Sequence, residues 1–435
     1  MNRFLTRAAI MALGVATFML SQFAAAQAMQ PEDTHARAVA REAVTASRFM
    51  VATANPHATQ VGYEVLAGGG SAIDAAVAVQ MMLNLVEPQS SGIGGGAFLV
   101  YWDAGAGKLV TFDGRETAPA AATPDYFLAE NGEPKEYWDA VVGGRSVGVP
   151  GTLRLLEVAH KTHGRQSWSG LLQPAIELAR AGFEISPRLA ASIEGAAGEK
   201  RQLDKYDAAR AYFFEPDGSP KKAGTRLTNP EFADTLSAIA VRGADAFYTG
   251  ALAGEIVRAV RATPENPGIL TEQDIRGYRV KMREPLCSSY RGYQVCGMGP
   301  PTSGGLSVGQ ILGLLEHFDL PGMGLGVDAA HLFAEAARLA YADRGMYIAD
   351  SDFVSVPATG LLDPAYLTAR AQLIDRDSAM EKAKAGNPPW HRTALRSHHV
   401  GPEQSGTSHF SIVDANGNAV SMTTTIETGF GSRLM

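Results

Sequence analysis

Clusters of basic residues are missing from this sequence. Its 435 residues include 38 Lys and Arg against 45 Asp and Glu, which leaves a net charge of −7. Proteins that bind nucleic acid use clustered Lys and Arg to neutralise phosphate groups. An acidic chain without such a cluster is therefore predicted to have no nucleic-acid partner.

Motifs of several common enzyme classes are also absent. The run Gly92-Ile93-Gly94-Gly95-Gly96 is followed by no Gly-Lys-Ser/Thr and lacks the full dinucleotide-binding spacing, so we interpret it as a tight turn between a helix and a strand. The histidines, including the pair His398-His399, do not have the spacing of zinc ligands. No serine lies in a Gly-x-Ser-x-Gly turn. We therefore expect no metal and no other cofactor.

Long apolar runs are scarce after the N-terminus. Arg3 and Arg7 precede an apolar run from Ala8 to Leu20, and Ala24-Ala25-Ala26 follows as a small-residue cleavage site. This order is typical of a secretory signal peptide over residues 1–26, and the run is short for the alternative, a membrane anchor. We expect an exported protein, periplasmic or secreted, that has no membrane contact once the signal is removed. Its 36 remaining basic residues against 45 acidic ones would leave a net charge of −9.

Cysteine occurs only twice, at Cys287 and Cys296, on either side of Tyr290-Arg291-Gly292-Tyr293. A two-residue turn at Arg291-Gly292 would place the cysteines opposite each other on paired strands, within disulfide range. Export makes oxidation possible, so we predict a disulfide; two buried thiols are the alternative.

Helix and strand signals recur along the chain. Ser71 is a good N-cap for a helix from Ala72 to Val86, and Thr271 begins a further helix through a capping arrangement. The other predictions are a helix over 57–67, strands over 97–102 and 108–112, mostly helices over 150–270, a helix over 328–344 and a polar, mobile linker over 378–406.

Two strands joined by a turn lie near the end of the sequence. They are Thr407–Val413 and Ala419–Thr425, with Asp414-Ala415-Asn416-Gly417-Asn418 between them. A three-residue loop with Gly417 left-handed would set Thr407 opposite Thr425, close enough for their hydroxyls to hydrogen-bond. A two-residue Asn416-Gly417 turn would instead set Ile426 opposite Thr407.

Thr407 lies where a self-cleaving precursor needs its nucleophile, at the start of a strand and after the small residue Gly406. Its hydroxyl can attack the Gly406 carbonyl, convert the amide to an ester and leave a new N-terminal threonine after hydrolysis. The new α-amine can then act as the base for its own hydroxyl. An ordinary β-hairpin is the alternative interpretation, because threonine is common in strands.

Together with the Thr407 region, a series of motifs resembles the γ-glutamyltranspeptidase family of the N-terminal-nucleophile hydrolase superfamily. The motifs, in order, are Asn55–Gly62, Gly69–Ala78, Gly92–Gly96, Arg115–Pro119, Gly148–Thr152, Pro300–Gly305 and Tyr341–Arg344. The resemblance implies an α/β fold, a four-layer αββα sandwich. It also implies a large-subunit region over 27–406 and the start of a small-subunit region over 407–435, incomplete at the C-terminus.

The resemblance further implies roles for single residues. Thr407 is the nucleophile, cleavage falls between Gly406 and Thr407, Thr425 supports the nucleophile's hydroxyl, and Arg115 binds the substrate's α-carboxylate. Glu427 occupies a substrate-binding position where the family often has Asn. Gly114 stands before Arg115 where Phe is common. We expect the missing C-terminal part to carry further ligands and the oxyanion hole, so that this chain alone would show no measurable transfer.

The function implied is that of a γ-glutamyltransferase, or glutathione hydrolase. It would move the γ-glutamyl group of glutathione or related amides to water or to the amine of an amino acid or peptide. Its protein partners would be the two subunits of one precursor. One alternative is a cephalosporin-acylase-like amidase, because Glu427 could alter the acyl preference. The other is an inactive remnant that acts only as a binding protein.

Overall fold

A computed structural model of the protein describes residues 43–389 and 406–435. The predicted signal peptide over 1–26 lies outside the described residues. So do residues 390–405 of the predicted linker, with their histidines.

The chain divides into two compact units. The described residues of the first unit are 43–97, 115–279 and 406–435, and those of the second are 98–114 and 280–389. The strands are β1 (Met50–Ala52), β2 (Gly96–Asp103), β3 (Lys108–Gly114), β4 (Phe183–Glu184), β5 (Arg226–Leu227), β6 (Lys281–Arg283), β7 (Leu286–Tyr290), β8 (Tyr293–Gly297), β9 (Thr407–Val413) and β10 (Ala419–Thr425).

Helices make up most of the remaining regular structure. In chain order they are α1 (Pro56–Ala67), α2 (Ala72–Val86), α3 (Tyr137–Val141), α4 (Thr152–His163), α5 (Trp168–Ala181), α6 (Pro187–Ala196), α7 (Asp207–Phe213), α8 (Pro230–Arg242), α9 (Asp245–Tyr248), α10 (Ala251–Arg261), α11 (Glu272–Gly277), α12 (Gly304–Leu315), α13 (Leu320–Met323), α14 (Val327–Tyr347), α15 (Ala358–Leu361) and α16 (Pro364–Ala371). The predicted helices and strands are confirmed, with ends that shift by a few residues.

The hairpin of β9 and β10 has the first of the two predicted registers. Thr407 pairs with Thr425, and the Asp414 N–H donates to the Asn418 carbonyl at 2.9 Å. Gly417 has φ 81°, so the three-residue loop depends on a left-handed position that glycine adopts without strain. Strand β1 pairs antiparallel with the other side of β9.

Helix α2 lies under this hairpin and is buried along its whole length. The Ser71 hydroxyl accepts from the Asp74 N–H, and the Asp74 carboxylate accepts from the Ser71 N–H, which confirms the predicted N-cap. The hairpin adds a second acceptor at this helix end, because the Asp414 carboxylate accepts from the Ala72 N–H at 3.1 Å. The turn of the hairpin is thereby attached to the start of α2.

In the second unit, β2, β3 and β6 lie next to one another in one sheet. Arg283 on β6 pairs with Asp113 on β3 at 2.7 Å. Strands β7 and β8 form a separate hairpin whose turn, Arg291-Gly292, has φ values of 48° and 84°. Helices α12, α14 and α16 pack around a leucine-rich core that includes Leu314 and Leu339.

The described part of the predicted linker, residues 378–389, contains no helix or strand but is held against α14. The Met380 N–H donates to the buried Glu335 carboxylate at 2.8 Å. The Gly386 N–H donates to the buried Asp343 carboxylate, also at 2.8 Å. Polar composition alone indicated mobility here, but two buried carboxylates on α14 fix the backbone of this part.

Candidate active site

A chain of hydrogen bonds joins the two threonines of the hairpin. Thr407 Oγ1 donates to Thr425 Oγ1 at 3.1 Å, and Thr425 Oγ1 donates to the Gly406 carbonyl at 2.9 Å. The Glu427 N–H donates to Thr425 Oγ1 at 2.9 Å and so fixes that hydroxyl from a third side. The β9–β10 register is what aligns these groups.

The Gly406 carbonyl, which precedes Thr407, accepts from two donors. They are the Thr425 hydroxyl at 2.9 Å and the Ile426 N–H at 3.2 Å. Donors arranged around a carbonyl oxygen stabilise the negative charge that develops there when its carbon is attacked. The site therefore places the Thr407 hydroxyl beside a polarised carbonyl on the preceding residue.

Gly406 also lies where a larger residue would not fit. A Cβ atom at this position would lie 2.3 Å from both the carbonyl carbon and the carbonyl oxygen of Thr428. Backbone atoms cannot move aside as the end of a flexible side chain can, so the close approach requires glycine.

Arg115 follows β3, and its side chain meets Glu427, which follows β10. Arg115 Nη2 lies 2.6 Å from Glu427 Oε2, and Arg115 Nε lies 3.4 Å from Glu116 Oε2. The Tyr278 hydroxyl donates to the Arg115 carbonyl at 2.7 Å and holds the backbone. Burial raises the pKa of Glu116, and the Arg115 charge opposes that rise. The structure thus brings together two residues that the sequence indicated separately.

A cavity of about 660 Å³ opens beside this ion pair. Arg115, Glu116 and Glu427 line it, together with aromatic residues from distant segments, which include Tyr126, Phe127, Phe213 and Phe430. Sequence reasoning assigned no role to Glu116 or to these aromatics. Glu116 lay inside a quoted motif, but nothing local to the aromatic residues indicated a shared pocket.

Other sequence-predicted groups are not among the residues that line this cavity. Cys287 and Cys296 are joined in a disulfide in the second unit, with their Cα atoms 4.0 Å apart. His409 lies on the Thr407 face of the hairpin, 2.8 Å from the Thr423 hydroxyl, and burial lowers its pKa. Across 43–389 and 406–435, no three His, Cys, Asp or Glu side chains are grouped to hold a metal.

Comparison with known proteins decides the family. The family model described as Gamma-glutamyltranspeptidase matches residues 58–435. The chain belongs to the γ-glutamyltranspeptidase family. A glutathione hydrolase proenzyme of Bacillus subtilis strain 168 is 42% identical over 393 residues, which cover 89% of this chain and 65% of that protein. The chain thus spans just under two thirds of the length of this relative.

Solved structures place this γ-glutamyltranspeptidase family member among N-terminal-nucleophile hydrolases. The structure of Helicobacter pylori gamma-glutamyltranspeptidase matches with a TM-score of 0.76 at 36% identity, covering 81% of this chain and 100% of that chain. A cephalosporin acylase from Bacillus halodurans matches with a TM-score of 0.75 at 28% identity, covering 93% of this chain and 70% of that chain. The predicted fold class and family are confirmed.

Proposed function

We propose that the protein is a γ-glutamyltransferase, or glutathione hydrolase, made as a precursor that cleaves itself between Gly406 and Thr407. The observation that carries the proposal is the Gly406 carbonyl, held by the Thr425 hydroxyl and the Ile426 N–H next to the Thr407 hydroxyl. The names of the similar proteins, glutathione hydrolase proenzyme and gamma-glutamyltranspeptidase, support it.

Self-cleavage begins when Thr407 Oγ1 attacks the Gly406 carbonyl carbon. The hydroxyl proton passes toward Thr425 Oγ1, and the Thr425 proton can pass to the carbonyl oxygen, because these atoms form one hydrogen-bonded chain. The C–N bond then breaks, its nitrogen takes up a proton, and Gly406 becomes esterified to Thr407. Hydrolysis of that ester leaves a Gly406 carboxylate and a free Thr407 α-amine.

The free α-amine then serves turnover. Its unperturbed pKa is near 8, so near neutral pH a useful fraction can accept the Thr407 hydroxyl proton. The hydroxyl attacks the γ-amide of glutathione or a related compound, and the amine product leaves. The γ-glutamyl ester passes to water or to the amine of an acceptor amino acid or peptide.

Arg115 and Glu427 fit the two charges of the γ-glutamyl donor. The Arg115 guanidinium can bind the α-carboxylate through charge-assisted hydrogen bonds, and Glu427 can accept from the α-ammonium group. Their separation of 2.6 Å shows that opposite charges are already arranged side by side at the cavity. Substrate would replace the direct ion pair with one contact to each partner.

The precursor would be exported and would yield two subunits. Residues 1–26 would direct export to the periplasm or the medium, residues 27–406 would form the large subunit, and the small subunit would begin at Thr407. No helix in 43–389 or 406–435 has the length and apolar character needed to cross a bilayer.

The deciding experiment uses the full-length exported protein and Thr407→Ala as its control. N-terminal sequencing should find a fragment that begins Thr-Ser-His-Phe, and the Thr407→Ala protein should stay as one uncut chain. The processed protein should release an aromatic amine from a γ-glutamyl anilide. Normal cleavage of the alanine variant would rule out Thr407 as the nucleophile.

A second substrate separates the acylase alternative. The similar cephalosporin acylase and the carboxylate of Glu427 keep this candidate open. A glutaryl anilide lacks the α-ammonium group that Glu427 would bind, so the γ-glutamyl substrate should have the higher kcat/KM. Preference for the glutaryl compound would favour the acylase, and turnover of neither would favour a protein that only binds a partner.

A further inference from the structure

Glu427 to Arg433, here called the 427–433 loop, connects the two parts of the candidate site. Its first residue, Glu427, pairs with Arg115. Its second residue, Thr428, lies directly against Gly406, where there is no room for a Cβ atom. The shape of this loop therefore affects both the ion pair of Glu427 with Arg115 and the position of the proposed scissile bond.

The loop has an unusual backbone. Glu427, Phe430 and Arg433 have φ values of 71°, 61° and 72°, in the left-handed region that side chains rarely adopt. Such conformations cost free energy and persist only where surrounding contacts impose them. Something must therefore hold this loop in shape.

Arg433 supplies contacts that do so. Its Nη1 donates to the carbonyls of Gly429 and Gly431, each at 2.5 Å, and its Nε donates to the Arg201 carbonyl at 2.8 Å. The guanidinium also lies over the Trp138 ring, 5.3 Å from its centroid. Arg433 is only 2% exposed, so these bonds are shielded from water. Burial lowers its pKa to about 10, which still leaves it charged at neutral pH.

We propose that Arg433 is a positioning residue for self-cleavage and for donor binding, an inference that rests on the proposed function. Its guanidinium ties two carbonyls of the 427–433 loop to two separate segments, one that carries Arg201 and one that carries Trp138. This holds Thr428 against Gly406 and Glu427 beside Arg115. Arg433 also lines the cavity, but its hydrogen bonds go to the carbonyls of Gly429, Gly431 and Arg201, so it acts through the loop.

The test compares Arg433→Gly, Arg433→Lys and a matched control in the full-length protein. Glycine suits φ 72°, so Arg433→Gly removes the guanidinium without adding backbone strain. The control is Arg291→Gly, because Arg291 also has a left-handed φ, 48°, and its guanidinium also donates to a backbone carbonyl, that of Phe318. Arg291 lies in the β7–β8 turn of the second unit.

Arg433→Gly should slow self-cleavage by up to roughly a hundredfold, because a misplacement of about 1 Å between reacting groups can cost that much in rate. It should also raise KM for a γ-glutamyl anilide more than it lowers kcat. Added guanidinium ion should restore part of both effects, Arg433→Lys should be intermediate, and Arg291→Gly should match the wild type. Wild-type rates and KM in folded Arg433→Gly would overturn the proposal, even if its melting temperature fell.

A readout independent of activity separates this proposal from the proposed function. The Phe430 N–H donates to the backbone carbonyl of Gln89 at 3.1 Å, and the Gly431 N–H donates to the backbone carbonyl of Thr428 at 2.8 Å. Both amides should exchange hydrogen faster in Arg433→Gly than in the wild type. If the wild type neither cleaves itself nor turns over substrate, the proposed function fails; unchanged exchange would show that Arg433 does not hold the loop.

Discussion

At the scale of single residues, position 406 requires glycine for a reason that lies outside its local sequence. A Cβ atom there would meet the Thr428 backbone at 2.3 Å. We predict that Gly406→Ala slows self-cleavage by at least tenfold, because either Gly406 or the 427–433 loop must move and the carbonyl then leaves its two donors. The rate of fragment appearance on a denaturing gel measures the effect.

A matched control for this prediction is Gly94→Ala, since a Cβ atom at Gly94 would have open space within 4 Å. The control should cleave at the wild-type rate. Equal rates for Gly406→Ala and the wild type would show that the close packing at Gly406 is not needed for cleavage.

The Arg115–Glu427 pair gives the second residue-scale prediction. Arg115→Ala should raise KM for a γ-glutamyl anilide at least tenfold, because each charge-assisted hydrogen bond contributes about 1.5–3 kcal/mol. In the proposed mechanism self-cleavage uses the Thr407 and Thr425 hydroxyls and not this guanidinium, so cleavage should continue in Arg115→Ala. Steady-state kinetics of the processed variant provide the measurement.

Glu427→Gln tests the other member of the Arg115–Glu427 pair by removing its negative charge. Neighbouring residues that share one ligand are expected to show non-additive effects. The double variant should therefore raise KM by less than the product of the two single effects. Fully independent effects would show that the two side chains bind the substrate separately, and an unchanged KM in Arg115→Ala would make the ion pair structural.

At the scale of elements, the turn of the β9–β10 hairpin is anchored by one carboxylate. Asp414 accepts from the N–H groups of Ala72, Asn416 and Asn418 at 2.9–3.1 Å and is 1% exposed. Asp414→Ala removes the buried acceptor that these donors share, so we predict a loss of about 2–5 kcal/mol in the free energy of unfolding. Denaturant titration measures it.

Asp217→Ala is the matched control at an exposed turn. The Asp217 carboxylate also accepts from a backbone N–H two residues on, that of Ser219, at 2.9 Å. In Asp217→Ala, water can take the place of this exposed carboxylate as the acceptor. Asp217→Ala should therefore shift the denaturation midpoint far less than Asp414→Ala does. A similar shift in both variants would mean that the link between the hairpin and α2 adds nothing beyond a local turn.

At the scale of the whole molecule, stability in acid should depend on Asp352. Its carboxylate pairs with Arg283 at 2.7 Å and with Lys281, and hydrogen bonds from Arg283 are the main reason that its pKa lies well below the ordinary 3.8. A carboxyl group whose pKa is lower in the folded state than in the unfolded state stabilises the fold. This stabilisation is complete above the unfolded-state pKa and is lost as the pH falls from there through the folded-state pKa.

We therefore predict that Asp352→Asn lowers the melting temperature at pH 7 and that the gap to the wild type narrows below about pH 4. The control is Asp234→Asn, whose ion pair with Arg180 is 3.2 Å long and largely exposed and should contribute little. A gap that stays constant down to pH 2 would show that the Asp352 charge is not the source of the stability.

Much of this molecule could be predicted from local sequence. The N-cap at Ser71, the limits of α2 and both strands of the β9–β10 hairpin follow from preferences that act within a few residues, whereas the choice between the two hairpin registers stayed open. The motif series also indicated the family before any fold was known. Local patterns succeeded here because capping, alternation and turn chemistry are short-range effects.

Only the tertiary structure decided how the candidate site is assembled. Arg115 and Glu427 are 312 residues apart in the sequence yet form an ion pair of 2.6 Å, and Asp414 reaches Ala72 across 342 residues. The contact of Gly406 with Thr428 and the burial of Arg433 likewise depend on how complete elements pack. No preference within a few residues encodes such contacts, because they exist only after several buried faces have been matched at once.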